Sequence, residues 1–328
     1  MLKIANSLLR LYNMDTSISP LVIQIDGGIG RIICATPAIE KLAKRTERKI
    51  ILLTSCPDVF RENPYVHKAY NLSSDYLWED VIRHGEFLFP EPYYSHLYYN
   101  QKHHLIQAFN YILNDKCEDF SFPHLYLNRD EQKWGEEFIQ ARKDDSAGKP
   151  VGILQCFGAG ASLNCGDFKD DTQRSLPPDR VDFLLKQLEK DCIFINASHL
   201  PLRYDHVWQQ TFTTRQLFSL IKACDFLVGV DSFASHAGAA FGRKGILFLG
   251  ATYGQNVGYP NYKMVYRDGY PKAYFPNRFG GSIEKQNEGA LDFSDAELTE
   301  IADVVRRQDF PTWEEYLPVS SMQESRSK

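Results

Sequence analysis

Apolar positions fall in short unbroken runs separated by stretches of helical spacing, and this alternation recurs along most of the chain. Leu21–Ile25 is a buried-type run followed by glycines, a helical pattern from about Pro37 to Arg48, and a second apolar run in KIILLTS. That order predicts a βαβ start and a parallel sheet. VHKAYNLS reads as a further short strand, and HHLIQAFNYIL as a helix with apolar residues at 105, 106, 109, 112 and 113. The polar stretch RKDDSAGKP, residues 142–150, ends in Gly and Pro and reads as a linker. The pattern then restarts: VGILQCFGAGAS is strand and glycine loop, RVDFLLKQLEK helix, CIFINAS strand, and TTRQLFSLIKAC a helix capped by Thr213 or Thr214. DFLVGVDS, HAGAAFG and KGILFLGAT follow as strand, helix and strand. After Gly254 the spacing turns irregular and aromatic and reads as ordered loops, until FSDAELTEIADVVRRQ, where Ser294 and Glu297 form a capping box that opens a helix.

The expectation is therefore α/β, with two similar open halves, residues 1–147 and 148–328. The chain's 328 residues suit two cores. MLKIANSLLRLYNMD lacks the core and cleavage pattern of a secretion signal and reads as a short packed helix, with peripheral membrane contact the most it suggests. A net charge of −5 offers no global attraction to a phosphate polymer. The seven cysteines, Cys34, Cys56, Cys117, Cys156, Cys165, Cys192 and Cys224, form no CxxC pair. They suggest neither a disulfide framework nor a zinc site, and a reducing cytoplasm fits them best.

Two turns carry candidate chemistry. In DGGIGR, Ile33 occupies the position of the third fingerprint glycine and no acidic residue ends the next strand, which argues against a nicotinamide cofactor. The turn is either a tight strand-to-helix connection or a place where a ligand meets backbone and a helix N-terminus. In VGVDSFASHAGAAFG, Asp231 and Ser232 end a buried strand and His236 lies in the first turn of a small-residue helix. Free helix N–H groups at that edge suit a diphosphate; the plainer alternative is an N-cap aspartate and a satisfied histidine. A glycine turn in each half favours a cleft between domains. The adjacent His103 and His104 point apart on a helix and suggest no metal site.

The segments GGIGRIICATPAIEKL and DSFASHAGAAFGRKGILFLGAT, in this order and roughly two hundred residues apart, resemble glycosyltransferase family 9, the heptosyltransferase-like enzymes of lipopolysaccharide assembly. The resemblance implies a GT-B architecture of two Rossmann-like domains with parallel sheets facing across a cleft, the C-terminal one gripping a nucleotide-sugar and the N-terminal one the acceptor, with the last helix a candidate to pack back on the N-terminal domain. It also implies inverting, metal-independent transfer with no cofactor beyond the nucleoside-diphosphate-sugar co-substrate. Asp231, Ser232 and His236 match the donor-diphosphate motif, and Thr252 its neighbouring loop. Gly158, Ala159, Gly160, Ser162 and Arg174 match the loop and basic residue that face the donor phosphates. Tyr253, Gln255 and Asn256 lie close enough to Thr252 to touch a donor sugar. Gly28 and Gly30 fall on the acceptor side, as do Tyr93 and Tyr94 in the aromatic stretch FLFPEPYYSHLYYN.

Two positions depart from the family. Phe233 stands where a glycine is usual, and Arg31 where an acidic base is usual. A guanidinium cannot accept a proton near neutral pH. Asp26 is the nearest carboxylate in sequence and becomes the candidate base. Arg31 either binds an anionic group bidentately or is a solvent-exposed helix-start residue beside a carboxylate such as Asp26. The acceptor expected is a saccharide or glycolipid. The alternatives are a modified DNA base, for which nucleic-acid binding is the weaker expectation, and a sugar-nucleotide-binding protein that has lost catalysis.

Overall fold

The computed structural model describes residues 19–164, 167–270 and 287–312; the N-terminal stretch read as a helix, Cys165 and the C-terminal tail lie outside them. Strands β1 (Leu21–Ile25), β2 (Ile50–Thr54), β3 (Lys68–Asn71) and β4 (Glu86–Leu88) form a parallel sheet in the order β3-β2-β1-β4. A second parallel sheet, β12-β11-β10-β5-β8-β9, contains β5 (Val151–Gln155), β8 (Ile193–Asn196), β9 (Val207–Trp208), β10 (Phe226–Val230), β11 (Gly245–Leu249) and β12 (Tyr262–Tyr266). An antiparallel pair, β6 (Ala161–Asn164) and β7 (Asp167–Asp170), stands apart from both. Strands β1, β2, β5 and β11 are buried almost throughout, as parallel strands covered on both faces must be. In each sheet the order reverses beside its first strand, β1 or β5. Such switch points leave a crevice at the carboxyl ends of the strands.

Helix α1 spans Ile29–Arg45 and begins directly at the glycine turn, not near Pro37 as the pattern predicts. Pro37 is interior to the helix and cannot donate to the carbonyl of Ile33. The buried Thr36 hydroxyl supplies that hydrogen bond instead, at 2.8 Å, and accepts the His124 N–H at 2.8 Å. Thr36→Val leaves both backbone groups without this partner, and a loss of about 2 kcal/mol is expected in denaturant titration.

Helix α2 (Leu105–Leu113) packs on α1, and α3 (Arg129–Asp145) opens with an Asn128/Glu131 capping box. Beyond it lie α4 (Pro178–Leu188), α5 (Thr214–Ala223), α6 (Phe233–Ala240) and α7 (Asp295–Arg307). The boundary at residue 147 separates α3 from the helix it packs against. A side chain at Gly135 of α3 would meet the Ser219 carbonyl of α5 at 2.5 Å. Arg215 of α5 donates to both carboxylate oxygens of Glu131 and to the carbonyls of Tyr126 and Asp58.

Among the described residues the last helix, α7, packs against the second sheet and α4. Leu298, Ile301 and Val305 of α7 share a core with Phe248 and Phe293, and Arg306 binds Asp191 and the Gln187 carbonyl beside α4. Strands β4, β6, β7, β9 and β12 and helix α3 fall outside the sequence reading. β12 is an edge strand with one fully buried residue, and the β6–β7 pair is largely polar, so neither presents an apolar run.

The main core is continuous between the sheets. It includes Ile23, Ile25 and Leu52 on one side, Val151, Leu227 and Leu247 on the other, and Ile32 and Ile33 of α1 with Ala234 and Ala237 of α6 between them. The small residues of α6 allow close packing: a side chain at Gly238 would collide with the Tyr262 hydroxyl and with Leu227.

Candidate functional site

A cavity of about 500 Å³ lies between the two sheets. The first domain contributes the turn Gly27–Arg31 with Tyr93, Tyr98 and Leu105. The second contributes Gln155, Ala159, Thr172, Arg174, Asp231–Phe233, His236 and Ala251–Thr252, with Val257.

Arg31 is buried, only 5% exposed, which excludes the solvent-exposed alternative. Its guanidinium donates to Asp26 at 3.1 Å, Glu91 at 3.1 Å and the Pro90 carbonyl at 3.4 Å, and lies over the Tyr93 ring at 5.1 Å. Two carboxylates and a ring compensate the buried charge, as a buried guanidinium requires. Gly27, at φ +92°, is crossed by the Arg31 side chain: a methyl there would sit 3.3 Å from Cδ. The Asp26 side chain retains 37% exposure, the most of the three charged groups.

Across the cavity, Asp231 is buried beside two cations. Its carboxylate lies 3.7 Å from His236 Nε2 and 3.9 Å from the Arg174 guanidinium. Burial alone would raise its pKa, but His236, Arg174 and the Thr252 hydroxyl hold it below the usual carboxylate range. The converse holds for His236: burial opposes its charge, yet the Cys34 sulfur and the Asp231 carboxylate push it up to about 10. Burial raises the Tyr93 phenol to about 12, against the pull of Arg31. The Ser232 hydroxyl is buried with no hydrogen-bond partner, and Ser232 caps α6 without a side-chain bond. Gln155, the polar residue that ends β5, accepts the Ala234 N–H at 3.2 Å.

The two glycine turns touch. A side chain at Gly30 would lie 2.6 Å from His236 Cδ2 and 3.5 Å from the Phe233 backbone. Phe233 is thus accommodated at the mouth of α6, with the close approach provided by Gly30 of the other domain.

Other sequence candidates distribute unevenly. Ala159 and Arg174 line the cavity; Gly158 and Gly160 sit behind them, where a side chain would meet Arg174 and Thr172 respectively. Ser162 lies on β6 opposite Lys169, away from the cavity wall. Tyr93 lines the cavity, whereas Tyr94 is 51% exposed outside it. Tyr253, Gln255 and Asn256 do not line it; Asn256 is buried and donates to the Tyr98 and His103 carbonyls, so its amide joins the two domains. Tyr98, from the same aromatic stretch as Tyr93, also lines the cavity, whereas Gln155, Thr172 and Glu91 enter without a sequence expectation of their own. Gln155 carried a usable signal, a polar residue closing a buried strand, and Glu91 carried none.

His104 caps α2, its Nδ1 accepting the Ile106 N–H at 3.1 Å, and burial, with His236 nearby, pushes its pKa down to about 3. The folded protein therefore keeps it neutral where the unfolded chain takes up a proton. Its contribution to stability is complete above its ordinary value of 6.5 and is lost as pH falls towards 3. His236, shifted oppositely from 6.5 to about 10, contributes below 6.5 and loses that contribution as pH rises to 10. A His104→Asn variant retains a capping acceptor, and its melting temperature is expected to decline less between pH 6.5 and 4 than that of the parent.

Among the described residues, no group of three or more His, Cys, Asp or Glu side chains is placed to hold a metal ion, and no helix is long and apolar enough to cross a membrane. No protein-family model matches the chain, and no curated protein matches it in sequence. Solved structures do match in fold. A glycosyl transferase family 9 protein from Veillonella parvula is 11% identical, covering 90% of this chain and 99% of its own, with a TM-score of 0.59. The E. coli ADP-heptose lps heptosyltransferase II is 12% identical over 88% of this chain and 99% of its own, TM-score 0.62. E. coli heptosyltransferase WaaC with ADP is 11% identical over 88% and 98%, TM-score 0.52. The chain has the GT-B fold of these proteins, two parallel α/β sheets facing across a cleft.

Proposed function

We propose that the protein is a glycosyltransferase that moves a sugar from a nucleoside-diphosphate sugar to a saccharide or glycolipid acceptor, in the cytoplasm, with inversion and without a bound metal. The observation that carries this reading is the facing of two unlike walls across one cavity. On the second domain, two cations flank a buried carboxylate; on the first, a partly exposed carboxylate is held by a buried arginine. Structures of the same fold with ADP and with ADP-2-deoxy-2-fluoro heptose support placing a nucleotide sugar there.

A leaving diphosphate develops negative charge that Arg174, His236 and the start of α6 can meet. Asp231 would repel that charge directly, so its part is to hold Arg174 and His236 in place. The uncommitted Ser232 hydroxyl is available to the same oxygens. Asp26 is the acceptor-side base in this reading, able to take the hydroxyl proton as the new bond forms. Arg31 is a positioning residue: its fork is occupied by Asp26 and Glu91, and it fixes the carboxylate it cannot replace.

The test is to incubate the protein with a panel of nucleotide sugars and follow released nucleoside diphosphate, with and without saccharide acceptors. Acceptor-stimulated release is expected. Tight donor binding with no release from any pair would favour a binding protein that has lost catalysis. Binding to duplex DNA with a steep salt dependence would point to a base-modifying acceptor role.

A further inference from the structure

Two buried side chains that the transfer reaction does not use directly meet behind His236. Cys34 comes from α1 of the first domain, and Tyr259 from the loop before β12 in the second. His236 Nδ1 lies 2.8 Å from the Tyr259 hydroxyl and 3.3 Å from Cys34 Sγ, and the sulfur is 3.6 Å from that hydroxyl. The opposite edge of the ring borders the cavity, where Nε2 and Cδ2 face Gly30 and Nε2 is 3.7 Å from Asp231. The remaining ionisable neighbours are Arg174, behind Asp231, and His104 at the head of α2, its ring 6.5 Å away and neutral.

We propose that Cys34 and Tyr259 are positioning residues that hold His236 with its Nε2–H turned into the cleft, so that a contact from one domain sets the hydrogen-bond donor the other presents to a ligand's diphosphate. The ligand's identity rests on the donor-site reading above; the placement of the proton does not.

The chemistry follows from the partners. In a neutral imidazole only one nitrogen carries hydrogen: the Asp231 carboxylate, which can only accept, faces Nε2, while the Cys34 thiol and the Tyr259 hydroxyl can donate to Nδ1, so together they favour the hydrogen on Nε2. Burial keeps Tyr259 a phenol, so its hydrogen is retained. In the imidazolium both nitrogens carry hydrogen, and Nδ1–H donates to the Tyr259 oxygen or the Cys34 sulfur. In either charge state Nε2 remains a donor. The other tautomer would turn a lone pair towards the Asp231 carboxylate and any anionic ligand.

Nitrogen-15 NMR of the full-length protein labelled at histidine reads this directly, with the His236 signals assigned by their loss in His236→Gln. A protonated Nε2 is expected in the parent protein. In Cys34→Ala combined with Tyr259→Phe, Nδ1 loses both partners and the ring its rear anchor, so the His236 nitrogen signals should shift or broaden and affinity for ADP should fall about tenfold, a change of about 1.4 kcal/mol. Cys34→Ser with Tyr259 intact keeps two possible donors at Nδ1 and should retain the parent signals and ADP affinity. An unprotonated Nε2 in the parent overturns the proposal, as does a double variant with unchanged His236 signals and ADP affinity. Should the double variant not fold, Tyr259→Phe alone carries the test: shifted His236 signals with weakened ADP binding are expected, and unchanged signals and affinity overturn the proposal. Absence of ADP binding by a parent protein that shows the Nε2–H signal would defeat the donor-site reading and leave the positioning role standing.

Discussion

Gly30→Val is expected to abolish ADP binding and turnover together, by more than about a hundredfold, while costing about 1–3 kcal/mol of stability. The new side chain would begin 2.6 Å from His236 Cδ2 and 3.2 Å from Nε2. The ring cannot retreat, because Tyr259 and Cys34 already contact its far edge. The strain must therefore appear either as a displaced His236 or as a separation of α1 from α6, and both disturb the wall that holds Asp231 and Arg174. Gly28 supplies the contrast. It has φ −73° and a side chain there would meet nothing within 4 Å, so Gly28→Ala should leave the melting temperature unchanged. A change in acceptor KM in that variant would then report contact with the acceptor. Wild-type ADP affinity in Gly30→Val, measured by calorimetric titration, would show that the two turns do not form one site.

Asp26→Asn is expected to lower kcat by about 10²- to 10⁴-fold with donor KM little changed, the range associated with loss of a general base. The amide oxygen can still accept from Arg31, so the arrangement of Arg31, Glu91 and Tyr93 survives and the effect isolates proton transfer. Single-turnover measurement of nucleoside diphosphate release separates the chemical step from product departure. A variant with full transferase activity removes Asp26 from the mechanism.

Much of the scaffold was legible because parallel strands buried on both faces must be short apolar runs, and both turns are small-residue interruptions directly after such runs. The start of α1 was not legible. Proline normally marks the first turn of a helix, and only the Thr36 hydroxyl, committed to the Ile33 carbonyl, makes Pro37 tolerable inside it. Arg31 illustrates a different limit. Asp26 could be suspected from proximity, whereas Glu91 is sixty residues away and reaches the guanidinium through the fold. Asn256 has the same lesson in reverse: its nearness to Thr252 along the chain suggested a ligand contact, but its amide nitrogen is spent on two carbonyls of the first domain. Cys34 carried no sequence signal, since its importance lies wholly in its contact with a histidine 202 residues further on.

The uninterrupted core between the sheets has a thermodynamic consequence. With Ile32, Ile33, Ala234 and Ala237 shared between the halves, neither half can melt without exposing apolar surface that the other keeps buried. Heating should therefore dissolve both halves in one cooperative transition, with the calorimetric enthalpy matching the van't Hoff value. The described residues form two parallel sheets besides the β6–β7 pair, but as a folding unit they count as one.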